Sequence, residues 1–150
     1  MPELTGKTRV SFDANGRLKL PNKLIEAMPE QCSDKLVATR GIEHCISLYT
    51  LPDWDKYKQS INMIQGLSVV EKLNLQRKII GISTELTMDK QGRITLPANL
   101  IEFGQLEGCN EVVVIGIEHV IEIWNPEVFR INDETNEPMA LEALNRRPTI

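Results

Sequence analysis

The chain has few aromatic residues, only two histidines, and three cysteines with no C-x-x-C spacing. Each shortage excludes something. Seven Phe, Trp and Tyr residues in 150 are too few for a platform that stacks unpaired bases. Cys32, Cys45 and Cys109 are an odd number without metal-ligand spacing, which predicts plain thiols in a reducing compartment. There is no apolar run long enough to span a bilayer and no apolar signal core at the N-terminus, so a cytoplasmic, non-membrane protein is expected. A glycine-rich phosphate loop, a metal-ligand cluster and a nucleophile–base motif are also missing. These gaps argue against a hydrolase or transferase and predict no cofactor, no metal and no catalytic residue. The net charge of −4 is weak support for a nucleic-acid partner on its own. Its distribution is uneven, however. Residues 1–23 hold five basic side chains against two acidic ones, while the stretch after Trp124 carries a surplus of two negative charges.

What the chain does have is a repeat. Residues 11–26 read SFDANGRLKLPNKLIE and residues 87–102 read TMDKQGRITLPANLIE, with eight of sixteen aligned positions identical at an offset of 76. A second block follows at an offset of 75, GIEHCISLY from Gly41 and GIEHVIEIW from Gly116. Two copies of one supersecondary unit predict two equivalent sites. Units of about 50 residues bury too little core alone, so the copies are expected to pack as one body.

Local signals give each copy the same order. Asn15-Gly16, between Thr8–Phe12 and Leu18–Leu20, is a hairpin signal, and Gly92 supplies the same special conformation in the second copy. Pro21 and Pro97 open short helices over Asn22–Met28 and Ala98–Phe103. Strands are expected over Leu36–Thr39, Cys45–Tyr49, Glu111–Ile115 and Val120–Trp124, with helices over Pro52–Ser60 and Pro126–Ile131. Ser68 and Glu71 form a capping box before a helix whose Val70, Leu73, Arg77 and Ile80 share one side, closed by Gly81. Asn132–Pro138 reads as a polar break, followed by a short, marginal helix over Met139–Asn145. The expected organisation is a first repeat over 1–66, a connecting helix over 67–82, a second repeat over 83–131 and a polar tail over 132–150. The expected fold class is mostly β with short helices (α+β). Two copies about a pseudo-two-fold axis would close a small barrel and hide each other's strand edges.

The candidate site is the pattern D-x-x-G-R-x-x-x-P, present as Asp13 to Pro21 and Asp89 to Pro97. An aspartate opening a tight turn accepts backbone N–H bonds from the residues that follow. The arginine four residues later then starts the returning strand. The bland reading is a self-satisfied turn with a surface ion pair of little energetic value. The functional reading is a preorganised loop presenting an arginine to phosphates or a guanine edge. Glu43-His44 and Glu118-His119 also repeat. Neighbours on a strand point to opposite faces, so each pair reads as a polar turn rather than a relay. Tyr49, Trp54, Trp124 and Phe129 read as packing.

DANGR at 13–17, DKQGR at 89–93, the two GIEH segments and VIEIW before Asn-Pro together resemble the MraZ family of bacterial transcriptional regulators over about residues 5–130. That family is similar to the AbrB-type swapped-hairpin regulators, with both halves in one chain. The resemblance implies a regulator of the division and cell wall gene cluster that binds short direct repeats in its own promoter. It implies a ring-like homo-oligomer on double-stranded DNA, at the nucleoid. Asp13, Arg17, Asp89 and Arg93 match the family motif; Gly6, Gly16, Gly92, Pro21 and Pro97 match its turn and strand-end positions. The expected DNA-contacting set is Arg17, Arg93, Asp13, Asp89, Lys7, Arg9, Lys19 and Lys90, with Asn15, Gly16 and Gly92 forming the turns. Lys7 and Arg9 enter as extra basic groups to which the resemblance assigns no role. The competing reading is a non-enzymatic assembly or antitoxin-like barrel that binds a protein partner through the same loops.

Overall fold

The computed structural model describes residues 3–30 and 34–149. Cys32 therefore lies outside the described residues. In chain order the elements are β1 (Leu4–Ser11), β2 (Arg17–Lys19), α1 (Asn22–Glu26), β3 (Lys35–Arg40), β4 (Ile46–Thr50), α2 (Leu51–Asn62), α3 (Val69–Ile79), β5 (Thr84–Thr87), β6 (Arg93–Thr95), α4 (Ala98–Phe103), β7 (Glu111–Glu118), β8 (Val120–Trp124) and α5 (Pro126–Leu144). The class is α+β, with antiparallel pairing throughout.

Strand order in the main sheet is β1-β7-β8-β4-β3-β5, and β2 pairs with β6 in a separate two-stranded ribbon. The order shows how the copies interlock. Each copy keeps its own hairpin, β3–β4 or β7–β8, and the hairpins meet at β4 and β8. The first strand of each copy joins the other copy. β1 runs against β7 over eight residue pairs, and β5 runs against β3.

This pairing corrects two expectations. The Asn15-Gly16 turn forms, with Gly16 N donating to Asp13 O at 3.1 Å. It does not close a β1–β2 hairpin ladder, because β1 pairs with β7 and β2 with β6. The sheet is also open, not a closed barrel. β2 and β6 are three residues each and pair with one another, so no ladder bridges the β1 and β5 edges.

Burial follows the pleat. Leu18 and Ile94 face each other at the centre of the ribbon, 2% and 1% exposed, while Arg17, Lys19, Arg93 and Thr95 alternate outward. Leu20, Leu24, Leu96 and Leu100 continue this apolar layer beneath α1 and α4. These six side chains are buried between copies. At about 1.5–3 kcal/mol of transfer free energy for each fully buried side chain, this shared layer is a large favourable term holding the copies together. Two aromatic clusters sit at matching places. Tyr49 packs on Trp54 at 5.6 Å and on Tyr57 at 4.8 Å, and Trp124 meets Phe129 edge-on at 5.4 Å.

The helices depart from expectation more than the strands. α3 has its capping box, with Glu71 N donating to Ser68 Oγ at 3.1 Å and Ser68 N to Glu71 Oε1 at 2.9 Å. It buries no side chain fully, and Val69, Val70 and Leu73 stay exposed. The expected break at Asn132–Pro138 is absent, since α5 runs unbroken from Pro126 to Leu144 with Pro138 inside. Asn125 caps it through its side chain, and Arg130 braces the first turns by ion pairs to Glu127 and Glu134. These i, i+3 and i, i+4 pairs, with Asn136 Nδ2 donating to Asn132 O at 2.9 Å, favour helix in a segment too polar to show an apolar periodicity.

Candidate nucleic-acid interface

The two D-x-x-G-R loops have the same construction. Asp13 Oδ1 accepts the backbone N–H groups of Asn15 and Arg17, both at 2.9 Å, and its Oδ2 takes Arg17 Nε at 2.9 Å. Asp89 Oδ1 accepts from Gln91 at 2.8 Å and Arg93 at 2.9 Å, and its Oδ2 takes Arg93 Nε at 3.0 Å. One carboxylate thus holds both the turn and the arginine. The backbone N–H of the arginine, followed by its side chain, holds each carboxyl below the ordinary aspartate range.

The bond to Nε leaves the Nη edge of each guanidinium free. Arg17 and Arg93 side chains are 49% and 47% exposed, and neither Nη edge has a partner among the described residues. That edge carries parallel N–H donors in the fork suited to a phosphate or to guanine O6 and N7. Each ion pair is exposed and adds little to stability. Its effect is to hold an arginine rotamer.

The glycines set the position of each loop. Gly16 and Gly92 have φ of 80° and 84° and are buried. A β-carbon at Gly16 would lie 2.7 Å from Ile101 Cδ1, and one at Gly92 would lie 2.5 Å from Ile25 Cδ1. Each loop therefore rests on the short helix of the other copy. Leu20 N donates to Gly92 O at 2.9 Å and Leu96 N to Gly16 O at 2.8 Å, so backbone bonds repeat this exchange.

The β2·β6 ribbon brings the two loops together. Its pairs are Arg17↔Thr95, Leu18↔Ile94 and Lys19↔Arg93. Arg17, Lys19 and Arg93 therefore share one solvent face across two strands, and Arg17 and Arg93 also line one open cleft with Asp13 and Lys19. Lys19 Nζ donates to Asn22 Oδ1 at 2.7 Å. Lys90, Asn15 and Gln91 are exposed at the loop tips.

Lys7 and Arg9 lie elsewhere. Lys7 sits over the Phe129 ring at 5.2 Å, and Arg9 pairs with Glu111 at 3.7 Å, in a cleft lined by Arg130, Asp133 and Glu134 of α5. The repeated Glu–His pairs diverge. His44 packs against Phe103 at 5.3 Å and Glu43 accepts from Asn132, whereas His119 faces Asp53 at 3.6 Å. Glu3, Glu118 and His119 have ligand atoms within 4.8 Å of one another, but all three are exposed and such groupings are common without an ion. Among the described residues, no helix is long and apolar enough to cross a membrane.

Sequence reasoning named the arginines and their aspartates but missed Thr95 as the cross-strand partner of Arg17, and missed that Lys19 stands beside Arg93. The signal was present in the repeat itself. With Leu18 and Ile94 at equivalent positions, an axis through them pairs each arginine with the position two residues beyond the other copy's arginine.

An internally duplicated α+β protein whose copies exchange strands, and which displays one aspartate-braced arginine per copy on a shared ribbon, defines the class. The family model described as "MraZ protein, putative antitoxin-like" matches residues 4–72 and again 79–147. The chain belongs to the MraZ family. It is 34% identical over 120 residues to the transcriptional regulator MraZ of Halothermothrix orenii, covering 80% of this chain and 79% of that one. It is 30% identical over 149 residues to the protein of that name from Thioalkalivibrio sulfidiphilus, covering 93% and 97%. With the Methylococcus capsulatus protein of that name the identity is 32% over 140 residues, covering 93% and 90%. These relatives are named as regulators of transcription and not as enzymes.

Proposed function

We propose that this chain is a non-enzymatic transcriptional regulator that binds double-stranded DNA through the β2·β6 ribbon. The observation that carries the reading is the pair of braced arginines, Arg17 and Arg93, on one exposed ribbon face. A two-stranded ribbon fits the major groove, where guanine O6 and N7 match the open guanidinium edge. Lys19 and Lys90 supply phosphate contacts, and Asp13 and Asp89 act indirectly by holding the arginines. The strand exchange between copies is read as the swapped-hairpin arrangement.

One ribbon neutralises few phosphates, so a single chain binds weakly. Val69, Val70, Leu73, Met139, Leu141 and Leu144 expose apolar surface on α3 and α5, which supports self-association. The proposed active form is a closed ring of identical subunits with the ribbons on one side. Linked ribbons gain effective concentration when DNA repeats match their spacing, so short tandem repeats in the protein's own promoter are the proposed target. The proposed location is the cytoplasm, at the nucleoid. The family description as antitoxin-like favours one second reading, in which the loops bind a protein partner.

Gel shifts on DNA from upstream of this gene test the proposal. Tandem repeats spaced by about one helical turn, roughly 10 base pairs, should bind tightly, and affinity should fall steeply with salt. Equal affinity for in-phase, half-turn-shifted and single-copy sites would remove the ring argument. Salt-independent binding would favour the protein-partner reading.

A further inference from the structure

The ribbon is two-fold in backbone but one-sided in charge. The pseudo-two-fold axis passes between Leu18 and Ile94, exchanging Arg17 with Arg93 and Lys19 with Thr95. It also exchanges the loop tips, Ala14-Asn15 with Lys90-Gln91. Antiparallel pairing puts Lys19 across from Arg93 and Thr95 across from Arg17. One end of the ribbon therefore gathers Lys90, Arg93 and Lys19 against Asp89. The other end has Arg17 against Asp13, with Ala14, Asn15 and Thr95 where the first end has lysines or glutamine.

Contacts reinforce the grouping. A β-carbon at Gly92 would lie 3.9 Å from Lys19 Cγ, so the stem of Lys19 runs beside the second loop. Lys19, Lys90 and Arg93 are all exposed. The opposite, first-loop end carries a side chain that can read a base edge, Arg17, but its flanking residues Ala14, Asn15 and Thr95 cannot neutralise phosphate.

Resting on the DNA-binding reading above, we propose that each ribbon grips DNA with a fixed polarity. The second-loop end, through Lys19, Lys90 and Arg93, anchors the phosphate backbone, and the first-loop end, through Arg17 and Asn15, contacts bases with little backbone affinity. The DNA segment met by one chain is then non-palindromic despite the two-fold backbone. Lys19 and Lys90 are the residues that set its orientation.

The test is salt-dependent fluorescence anisotropy with the full chain and a labelled 40-base-pair duplex of scrambled sequence. Each phosphate contact contributes about 0.9 to the slope of log affinity against log salt. Between 50 and 200 mM salt, losing one contact should therefore shrink the affinity loss by about 3.5-fold for every ribbon engaged on the duplex. Lys19→Thr, which installs the residue found at the equivalent position, and Lys90→Ala should each do so. Asn15→Ala and Thr95→Ala should leave the slope unchanged, and Ala14→Lys with Thr95→Lys should steepen it. Thermal melts matching the parent establish that every variant is folded. Unchanged slopes for both lysine variants, with Arg17→Ala and Arg93→Ala weakening binding equally, would overturn the polarity while leaving DNA binding intact. A parent chain with no salt-dependent binding would overturn both readings.

Discussion

Replacing Gly16 by alanine tests how the two copies hold each other's loops. Two costs add at this position. The backbone is left-handed, φ 80°, which costs an L-residue about 1–2 kcal/mol. The new β-carbon would also lie 2.7 Å from Ile101 Cδ1 and 3.2 Å from the Leu96 carbonyl oxygen. The isoleucine can turn away, but Leu96 belongs to the backbone that donates to Gly16 O, so the loop itself must shift. Overpacking of this kind costs about 1–3 kcal/mol more. The internal control is Gly66→Ala, at φ 82° with open space around it, which pays only the backbone cost. For a chain of this length each kcal/mol moves the melting temperature by about 2–4 °C. Gly66→Ala should lower it by roughly 2–8 °C, and Gly16→Ala by roughly twice as much. Gly92→Ala should fall between them, because its close contact is only the end of the Ile25 side chain. Scanning calorimetry at one protein concentration decides the order. Equal shifts for Gly16→Ala and Gly66→Ala would refute the close approach of loop and neighbouring helix.

Three further outcomes are expected. Residues 1–66 expressed alone should aggregate, dimerise or remain unfolded, because β1 loses β7 and Leu18, Leu20 and Leu24 lose their cover; a cooperative monomeric transition in sedimentation and melting experiments would contradict the interlocked fold. Ser68→Ala should cost α3 about 1 kcal/mol, speeding amide exchange there about fivefold while barely moving the global melt; unchanged exchange would mean the capping box is idle. Asp13 and Asp89 are depressed below their ordinary value of 3.8, so their contribution is complete above that pH and is lost only as pH falls through the lower folded values. The amide resonances of Gly16 and Gly92 should therefore hold steady from pH 8 to pH 5, and a titration midpoint above 3.8 would show the carboxylates are not held as described.

Local elements were legible because their signals are local. Asn15-Gly16, the prolines at 21 and 97, and Ser68 with Glu71 each act within a few residues, and each formed what its chemistry dictates. The partner of each strand was not legible in the same way. Thr8–Phe12 carries an alternation that suits any edge, and only the eight-residue match to β7 decides where it goes. A turn signal fixes the chain reversal but not the ladder that follows it. The helix over Asn132–Pro138 was missed for a related reason. Its support comes from Arg130 ion pairs and a side-chain bond back to Asn132, not from an apolar face. At the site, the repeat pointed to Arg17 and Arg93, whereas Lys7 and Arg9 joined the expected set only as extra basic groups near the first loop in sequence. β1 leaves the loop for β7, and its outward cations go with it to α5.

The central claim is that the braced arginines read DNA and are not merely surface partners of their aspartates. The most direct measurement is the affinity of Arg17→Ala/Arg93→Ala for duplex DNA carrying tandem repeats from upstream of the gene, set beside its melting temperature. Each charge-assisted arginine contact, whether to a guanine edge or to a phosphate, is worth about 1–3 kcal/mol. Affinity should therefore drop by about 30-fold or more, with the melt within a degree or two of the parent, since both side chains are half exposed and their ion pairs add little. Parental affinity per folded molecule, or a collapsed melt with binding per folded molecule unchanged, would show that the arginines serve the turn alone.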